Sequence, residues 1–203
     1  MARWMWIIAG PNGAGKSSFA GRFLDGLGHR KLTKLNADER TAELRRMLPE
    51  AGQRGLNLRA AVEIDAAVAD HIESNRSFVV ETVLSSPKYR DDVLAAKAAG
   101  FRFGLIYISL FPPDLSPLRV AERTAKGGHD VDPATAIARH HRSHEELRWF
   151  APQADILMVF DNSAADGKPV LVASRVSGQA LRYIRRGLNP AVDAALGAAF
   201  PAG

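Results

Sequence analysis

The sequence predicts an α/β protein with three layers, in which helices cover both faces of a parallel β-sheet. Short apolar runs alternate along the chain with longer segments of helical periodicity, which is the pattern of parallel strands joined by crossover helices. The runs within 77–83 and 102–110 are continuously apolar, as strands buried on both faces are. A glycine-rich phosphate-loop motif directly follows the first apolar run and directly precedes a helix.

The elements follow from these patterns in chain order. Strands are expected at about 3–9, 32–36, 77–83, 102–110, 155–160 and 168–175. A first helix is expected to open at Lys16 or Ser17, and others to cover about 38–48, 57–75, 87–99, 117–126 and 133–149, with a last one in the tail from Asn189. Pro87 and Gly100 bracket the fourth of these helices, and Asp132 is the expected N-cap of the sixth.

Composition limits the class of protein and its partners. The 203 residues suffice for one domain with a substantial core, so we expect a single domain over residues 1–203, with a helical lid within it at about 114–147. The absence of cysteine excludes a disulfide framework and thiolate zinc sites, and it favours the cytoplasm. The apolar stretch Trp4–Ala9 is too short to act as a signal sequence or to span a membrane, so no membrane association is expected.

The charge of the chain indicates the chemistry of its ligands. A net charge of +5 favours anionic partners such as nucleotides and phosphorylated metabolites. The sequence has no run of five or more Lys and Arg residues, and its aromatic residues are not interleaved with basic ones. This distribution argues against a dedicated nucleic-acid surface.

The phosphate loop is the strongest functional signal. GPNGAGKS at 10–17 matches G-x-x-x-x-G-K-[ST] in full and lies between a strand and a helix, as the motif requires. Glycines let consecutive backbone N–H groups turn inward around an anion, and the helix N-terminus adds the positive end of its dipole. Lys16 is expected to reach the β- and γ-phosphates of ATP, and the Ser17 hydroxyl to bind Mg²⁺. The expected nucleotide-binding residues are Gly10, Pro11, Asn12, Gly13, Ala14, Gly15, Lys16, Ser17 and Ser18.

Two carboxylates follow predicted strands. Asp38 lies just past the second strand, where α/β sheets place their ligands, and there it could accept a proton from a substrate hydroxyl or simply cap the next helix. Glu81 ends the apolar run Phe78–Val80, where an unpaired carboxylate is costly, which favours a role in binding Mg²⁺ or substrate. Asp161 competes for that role, although the residues after it are more typical of a turn.

Basic residues concentrate between the fourth and fifth strands. Arg123, Arg139 and Arg142 could close on the phosphates and offset the charge of the transition state, or they could form a solvated surface. His129 lies in the turn between two helices and is a candidate contact to the substrate. The other histidines of this segment have no acidic partner at metal-ligand spacing, which favours packing or surface positions; they are His140, His141 and His144.

With these motifs in place, the sequence resembles the zeta toxin family of P-loop kinases, particularly its compact bacterial members. The resemblance covers roughly residues 4–163 and is carried by GPNGAGKSS, LNADE, VVETVLSS, RVAERTAKGGHDVDPATAIARHHRSHEEL and VFDNS. It implies a sheet in the order 2-3-1-4-5, ATP with Mg²⁺, and transfer of a phosphoryl group to a small-molecule hydroxyl. In the best-understood family members the acceptor is the amino sugar of UDP-N-acetylglucosamine.

The resemblance also implies roles for individual residues. Asp38 becomes the base, Lys16 and Ser17 bind phosphate and metal, Glu81 and Thr82 contact the acceptor, and Arg123 with Arg139 or Arg142 supplies the lid arginines. No antitoxin-like helical segment is fused at the N-terminus, so we expect any neutralising antitoxin to be a separate protein.

We therefore expect an ATP-dependent kinase of a small hydroxyl-bearing metabolite, with a UDP-amino sugar as the candidate acceptor. Two alternatives remain open on the sequence: a kinase that acts on nucleic-acid ends or tRNA, and a non-catalytic ATP-binding switch.

Overall fold

The computed structural model describes residues 2–26, 32–125 and 131–201. The strands are β1 (Trp4–Ala9), β2 (Thr33–Asn36), β3 (Phe78–Thr82), β4 (Arg102–Ser109), β5 (Ile156–Asp161), β6 (Val170–Val176) and β7 (Arg182–Tyr183). The helices are α1 (Lys16–Gly26), α2 (Ala37–Met47), α3 (Gln53–Glu73), α4 (Arg90–Ala98), α5 (Leu115–Thr124), α6 (Pro133–Gln153) and α7 (Pro190–Ala199).

Within the described ranges the strands form one sheet in the order β2-β3-β1-β4-β5-β6-β7. The first five strands in this order are parallel, which confirms the predicted α/β class and the order 2-3-1-4-5. β6 and β7 extend the sheet in antiparallel orientation beyond β5. Only β7, an edge strand of two residues, was absent from the sequence prediction.

Helix boundaries depart further from the prediction. α3 begins at Gln53 instead of about residue 57. Gly52, in an extended conformation, is the N-cap, so the first helical turn starts directly after it. The helix predicted at 87–99 begins as a 3₁₀ turn, Pro87–Tyr89, before α4. α6 continues to Gln153, while its predicted N-cap, Asp132, is confirmed by the hydrogen bond that its side chain accepts from the Thr135 amide. None of the helices in the described ranges is long and apolar enough to cross a bilayer.

The core lies on both faces of the sheet, as the alternation of side chains along strands requires. One face packs Met5 and Ile7 of β1 against α3, α4, α6 and α7. The opposite face carries Trp4, Trp6 and Ile8 and packs against α1 and α5. Trp4 and Trp6 are buried and stacked on each other.

All five parallel strands end at the same edge of the sheet. Sheet register aligns Ile8 and Asn36 with Glu81, on either side of β3, and aligns Ser109 with Asp161. The loops that follow β1, β2, β3, β4 and β5 therefore converge at this edge, which is where α/β sheets bind ligands.

Candidate functional site

The phosphate loop fits closely against neighbouring strand ends. Gly10 has a φ of +142°, and a Cβ at this position would lie 1.9 Å from the backbone oxygen of Ile108 on β4. Gly15 has a φ of +81°, and a Cβ there would lie 2.9 Å from the side-chain nitrogen of Asn162. Gly10 is therefore required both for backbone conformation and for space, and Gly15 chiefly for its backbone conformation.

Lys16 begins α1 and folds back over the loop. Its Nζ donates hydrogen bonds to the backbone oxygens of Gly10 and Pro11, at 2.9 and 3.0 Å. Burial lowers the pKa of Lys16 to about 8, against the opposing effect of the negative charges of Glu81 and Asp38. The two carbonyl oxygens are neutral and compensate the charge of the ammonium only in part. A phosphate bound in the loop would give Lys16 an anionic partner.

Ser17 and Glu81 meet at the edge of the sheet. Ser17 Oγ donates to Glu81 Oε1 at 2.5 Å, and Lys34 Nζ lies 2.7 Å from Glu81 Oε2. The Glu81 side chain is only 5% exposed. Burial by itself would raise the pKa of this carboxyl, but the hydrogen bonds from Lys34 and Ser17 outweigh burial and hold the pKa below its usual value.

This pair fits a magnesium ion. A hydroxyl and an ionised carboxylate are the hard oxygen ligands that Mg²⁺ prefers, and Mg²⁺ at phosphoryl-transfer sites takes its other ligands from water and substrate phosphates. Among the residues that the structure describes, no group of three or more His, Cys, Asp or Glu side chains is arranged to hold a metal. Ser17 and Glu81 would supply two of the ligands of a Mg²⁺ ion bound with a nucleotide.

Asp38 lies in the first turn of α2, with its side chain exposed. The cap of this helix is Asn36, whose Oδ1 accepts hydrogen bonds from the Asp38 and Glu39 amides at 2.8 and 3.3 Å. The alternative interpretation of Asp38 as the N-cap is therefore wrong. The sequence carries the signal for the true cap, because Asn36 is followed three residues later by Glu39, as in a capping box.

These side chains share one open cleft of about 890 Å³ at the carboxyl edge of the sheet. From the predicted sites it is lined by Asn12, Gly13, Gly15, Lys16, Ser17, Ser18, Asp38, Glu81 and Arg123. Residues that sequence reasoning missed also line it, among them Asn36, Glu39, Arg119 and Asn162. Carboxylates and cations from distant parts of the chain thus face the same space as the phosphate loop.

The predicted lid arginines separate into two groups. Arg123 of α5 lines the cleft, together with Arg119 one helical turn earlier. Arg119 Nη2 donates to the backbone oxygens of Ala164 and Ser163, at 2.8 and 3.3 Å. The structure does not place Arg139 or Arg142 at the cleft, and Arg142 Nε instead donates to the backbone oxygen of Ser85 at 3.2 Å. The catalytic role of these two stays a prediction.

Two further residues, Thr82 and His129, are predicted to contact the substrate. Thr82 does not line the cleft, and its hydroxyl accepts a hydrogen bond from the Leu84 amide at 3.2 Å. His129 lies outside the described residues.

Two buried hydrogen bonds connect the phosphate loop to distant parts of the chain. Ser116 Oγ, at the start of α5, donates to the backbone oxygen of Asn12 at 2.5 Å. Asn162 Nδ2, just after β5, donates to the backbone oxygen of Ala14 at 2.9 Å. Since Ser116 is fully buried, the loop and the arginine-bearing helix are joined without intervening solvent.

His140 and His144 of α6 occupy buried packing positions, one of the two alternatives that the sequence favoured. His144 Nε2 lies 2.8 Å from Ser109 Oγ, and its Nδ1 lies 2.9 Å from the backbone oxygen of His140. Both rings are buried, whereas His141 is exposed. Burial lowers the pKa of His144 to about 4.

Asp161 belongs to the same buried layer. Its carboxylate accepts hydrogen bonds from Asn189 Nδ2 at 2.6 Å and from Ser163 Oγ at 2.8 Å. Asn189 also donates to Ser109 Oγ at 3.0 Å and caps α7. Asp161 thus organises a turn and anchors α7, which leaves Glu81 as the carboxylate at the phosphate loop.

A phosphate loop that follows β1 of a 2-3-1-4-5 sheet, with its lysine and serine facing a buried carboxylate, defines the P-loop class of nucleotide-binding proteins. The sequence model of the zeta toxin family matches residues 2–167, most of the chain, and the chain belongs to that family. No curated protein matches the sequence significantly.

Solved structures share the fold at low sequence identity. The AvrRxo1-ORF1:-ORF2 structure with ATP is 18% identical, with a TM-score of 0.71 over 91% of this chain and 61% of that one. The PezAT toxin–antitoxin system of Streptococcus pneumoniae is 13% identical, with a TM-score of 0.60 over 84% of this chain and 70% of that one. A putative kinase from Chloroflexus aurantiacus is 19% identical, with a TM-score of 0.54 over 70% of this chain and 80% of that one. This chain thus spans about three fifths of the AvrRxo1-ORF1:-ORF2 chain that it matches.

Proposed function

We propose that this protein is an ATP-dependent kinase that transfers the γ-phosphoryl group to a hydroxyl of a small metabolite. The observation that supports the proposal is the convergence of Lys16, Ser17, Asp38, Glu81 and Arg123 on one cleft. Phosphoryl transfer depends on positioning and charge stabilisation, and it needs a phosphate cradle, a metal site, a proton acceptor and a cation on the transferring group. Membership of the zeta toxin family supports the same chemistry.

On the nucleotide side, the loop amides and Lys16 hold the β- and γ-phosphates. Ser17 and Glu81 would hold Mg²⁺, which would neutralise charge on the phosphate oxygens of bound ATP. Glu81 is suited to this task because it is already ionised and already oriented toward Ser17. Arg123 stabilises the charge that spreads over the phosphoryl group as it leaves ATP.

On the acceptor side, Asp38 orients the attacking hydroxyl and takes its proton. Three facts support this role: Asp38 lines the cleft, its carboxylate is exposed, and capping of α2 is done by Asn36. A base in this role must come within hydrogen-bond reach of the hydroxyl in the substrate complex. The position of Asp38 at the cleft, in the first turn of a helix that follows a strand end, supports that placement.

The acceptor that we propose to test first is a UDP-amino sugar. Family membership supports this choice, as does a cleft of about 890 Å³, which leaves room beside a nucleotide for a second ligand. We further propose that the protein acts in the cytoplasm and is neutralised by a separate antitoxin. The toxin–antitoxin description of PezAT supports that partner.

The test is incubation with γ-labelled ATP and a panel of UDP-sugars, nucleosides, oligonucleotides and cell extract, with mass spectrometry of the labelled product. Label on a small-molecule hydroxyl is the expected result. Label on oligonucleotides would instead identify a nucleic-acid kinase. ATP binding without any labelled acceptor would identify a switch, and either outcome would refute the proposal.

The role of Asp38 is tested in the same assay by Asp38→Asn. Loss of a general base lowers turnover by about 10²- to 10⁴-fold, while ATP affinity should stay near that of the wild type. Asp91→Asn is the matched control, because Asp91 also lies exposed in the first turn of a helix, α4, and is not a lining residue of the cleft. Full turnover in Asp38→Asn would remove Asp38 from the role.

A further inference from the structure

Lys34 of β2 lies between two carboxylates on opposite sides of the candidate site. Its Nζ is 2.7 Å from Glu81 Oε2, on the side of the phosphate loop. The same Nζ is 2.6 Å from Glu39 Oε1, on α2. None of the sequence motifs includes Lys34, which precedes LNADE directly.

Sheet register explains how the lysine reaches both groups. Lys34 aligns with Val79 on β3, and Asn36 aligns with Glu81 two residues later. Since side chains two residues apart on a strand share a face, Lys34 and Glu81 lie on the same side of the sheet. The Lys34 side chain is 33% exposed, as expected when an apolar stem lies along a sheet and the ammonium reaches its edge.

Each oxygen of Glu81 has its own partner. Oε1 accepts from Ser17 and Oε2 pairs with Lys34, so the orientation of the buried carboxylate is fixed from both sides. An ionised carboxylate that is 5% exposed is costly without a counter-charge, and Lys34 supplies one. If the ammonium were lost, Glu81 would be free to rotate away from Ser17.

The second contact reaches the acceptor side. Glu39 adjoins Asp38 in the first turn of α2, and the capping-box contact expected of Glu39 is diverted to Lys34. One ammonium thus links the strand end that carries Glu81 to the helical turn that carries Asp38.

We propose that Lys34 is a positioning residue that sets the orientation of Glu81 toward Ser17 and the distance of Asp38 from that pair. The inference rests on the proposed function and deepens it, because it assigns a new residue to the geometry of the same site. Lys34 acts through the two carboxylates, and it is not among the residues that line the cleft.

The experiment compares Lys34→Met, which keeps an apolar stem and removes the charge, with Lys34→Arg, which keeps the charge. Lys88→Met is the matched control, since Lys88 also pairs with a carboxylate, Asp65, at 2.7 Å and is 34% exposed, away from the cleft. The readouts are the affinity for a fluorescent ATP analogue with and without Mg²⁺, and kcat and KM for ATP.

We expect Lys34→Met to weaken the apparent Mg²⁺ affinity about 10- to 100-fold, the usual loss when a group that orients a metal ligand is removed. Affinity for ATP without Mg²⁺ should not change, and kcat should fall while KM for ATP stays within about two-fold, since the phosphate loop is intact. Lys34→Arg should retain most of the Mg²⁺ affinity and most of the kcat of the wild type. Lys88→Met should match the wild type.

The binding measurement separates this inference from the proposed function. If the wild type transfers no phosphoryl group, the proposed function fails, and the Mg²⁺-dependent binding still decides the role of Lys34. Unchanged Mg²⁺ affinity in Lys34→Met would overturn the inference. Equal losses of ATP affinity with and without Mg²⁺ would also overturn it, because they would indicate a merely structural role.

Discussion

Ser17 Oγ and Glu81 Oε1 are joined by a hydrogen bond of 2.5 Å between residues 64 positions apart in the chain. The bond connects the first turn of α1 to the end of β3, and β3 is the direct neighbour of β1 in the sheet. The two side chains that are candidates to bind Mg²⁺ are therefore in direct contact, and their hydrogen bond contributes to the orientation of both.

This contact predicts that the two residues act as a unit. Ser17→Ala and Glu81→Gln should each weaken Mg²⁺-dependent ATP binding, and the double variant should lose less than the sum of the single losses. We expect a coupling energy of about 1 to 2 kcal/mol, in the range for side chains that share a hydrogen bond. Nucleotide titrations of the four proteins at fixed Mg²⁺ measure it.

Ser74→Ala and Asp70→Asn provide the control cycle for this measurement. They form a serine–carboxylate pair at 3.2 Å on the exposed surface, away from the cleft. Nucleotide affinity should be unchanged throughout that cycle. Additive losses at Ser17 and Glu81 would show that the two residues bind independently.

A second prediction concerns the arginines. Arg123→Ala should lower kcat about 10²- to 10³-fold, the usual cost of removing a group that stabilises developing charge. Arg139→Ala should lower kcat by no more than about three-fold, because Arg139 is not among the residues that line the cleft. Steady-state kinetics of both variants decide the matter. A larger loss in Arg139→Ala than in Arg123→Ala would contradict the assignment of α5 as the helix that supplies the cation.

A third prediction follows from the buried His144. Its folded pKa of about 4 lies below the value of about 6.5 in an unfolded chain, so the unfolded state binds more protons between these values. Stability should therefore fall as pH drops from about 6.5 to 4, by about 2 to 3 kcal/mol from this residue. Urea unfolding of the wild type and His144→Gln at pH 7.5 and 4.5 measures the difference.

Comparison with His144→Gln isolates this residue, because the carboxylates titrate equally in both proteins. Between pH 7.5 and pH 4.5 the unfolding free energy of the wild type should fall by more than that of His144→Gln. His141→Gln, on the exposed face of α6, should show no such shift. A gap that does not depend on pH would mean that His144 is not held neutral by burial.

A fourth prediction contrasts two glycines. Gly10→Ala should destabilise the protein by at least about 2 kcal/mol, because its Cβ would lie 1.9 Å from the Ile108 carbonyl in a conformation that L-residues rarely adopt. Gly21→Ala, within α1 and with open space around its Cβ, should stabilise by about 0.5 to 1 kcal/mol. Thermal or urea unfolding measures both. Equal effects would contradict the close fit of the loop against β4.

The sheet is largely predictable from the sequence because buried parallel strands are apolar without interruption and the glycine-rich motif fixes the order of the first strand, loop and helix. Lys16, Ser17, Asp38 and Glu81 are predictable for the same reason, since each lies at a strand end or a helix start. β7 is too short to carry a periodic pattern, and its two residues form a strand only because β6 lies beside them.

The residues missed by the sequence analysis depend on tertiary placement. Arg119 shares a helix face with Arg123, four residues on, and that spacing is the only sequence signal for its position at the cleft. Arg139 and Arg142 have equally suggestive spacing, yet α6 turns Arg142 toward Ser85. Lys34 shows no functional pattern in sequence, since its importance comes from cross-strand register with Val79.

The hydrogen bond from Ser116 to the Asn12 carbonyl couples the phosphate loop to α5, the helix that carries the arginines of the cleft. Since the start of α5 is hydrogen-bonded to the phosphate loop, a displacement of the loop would also displace Arg119 and Arg123. The same bond would place the arginines relative to the phosphate loop before a nucleotide binds. In the proposed kinase, arginines held in this way would need less reorganisation in each turnover than arginines on a mobile segment.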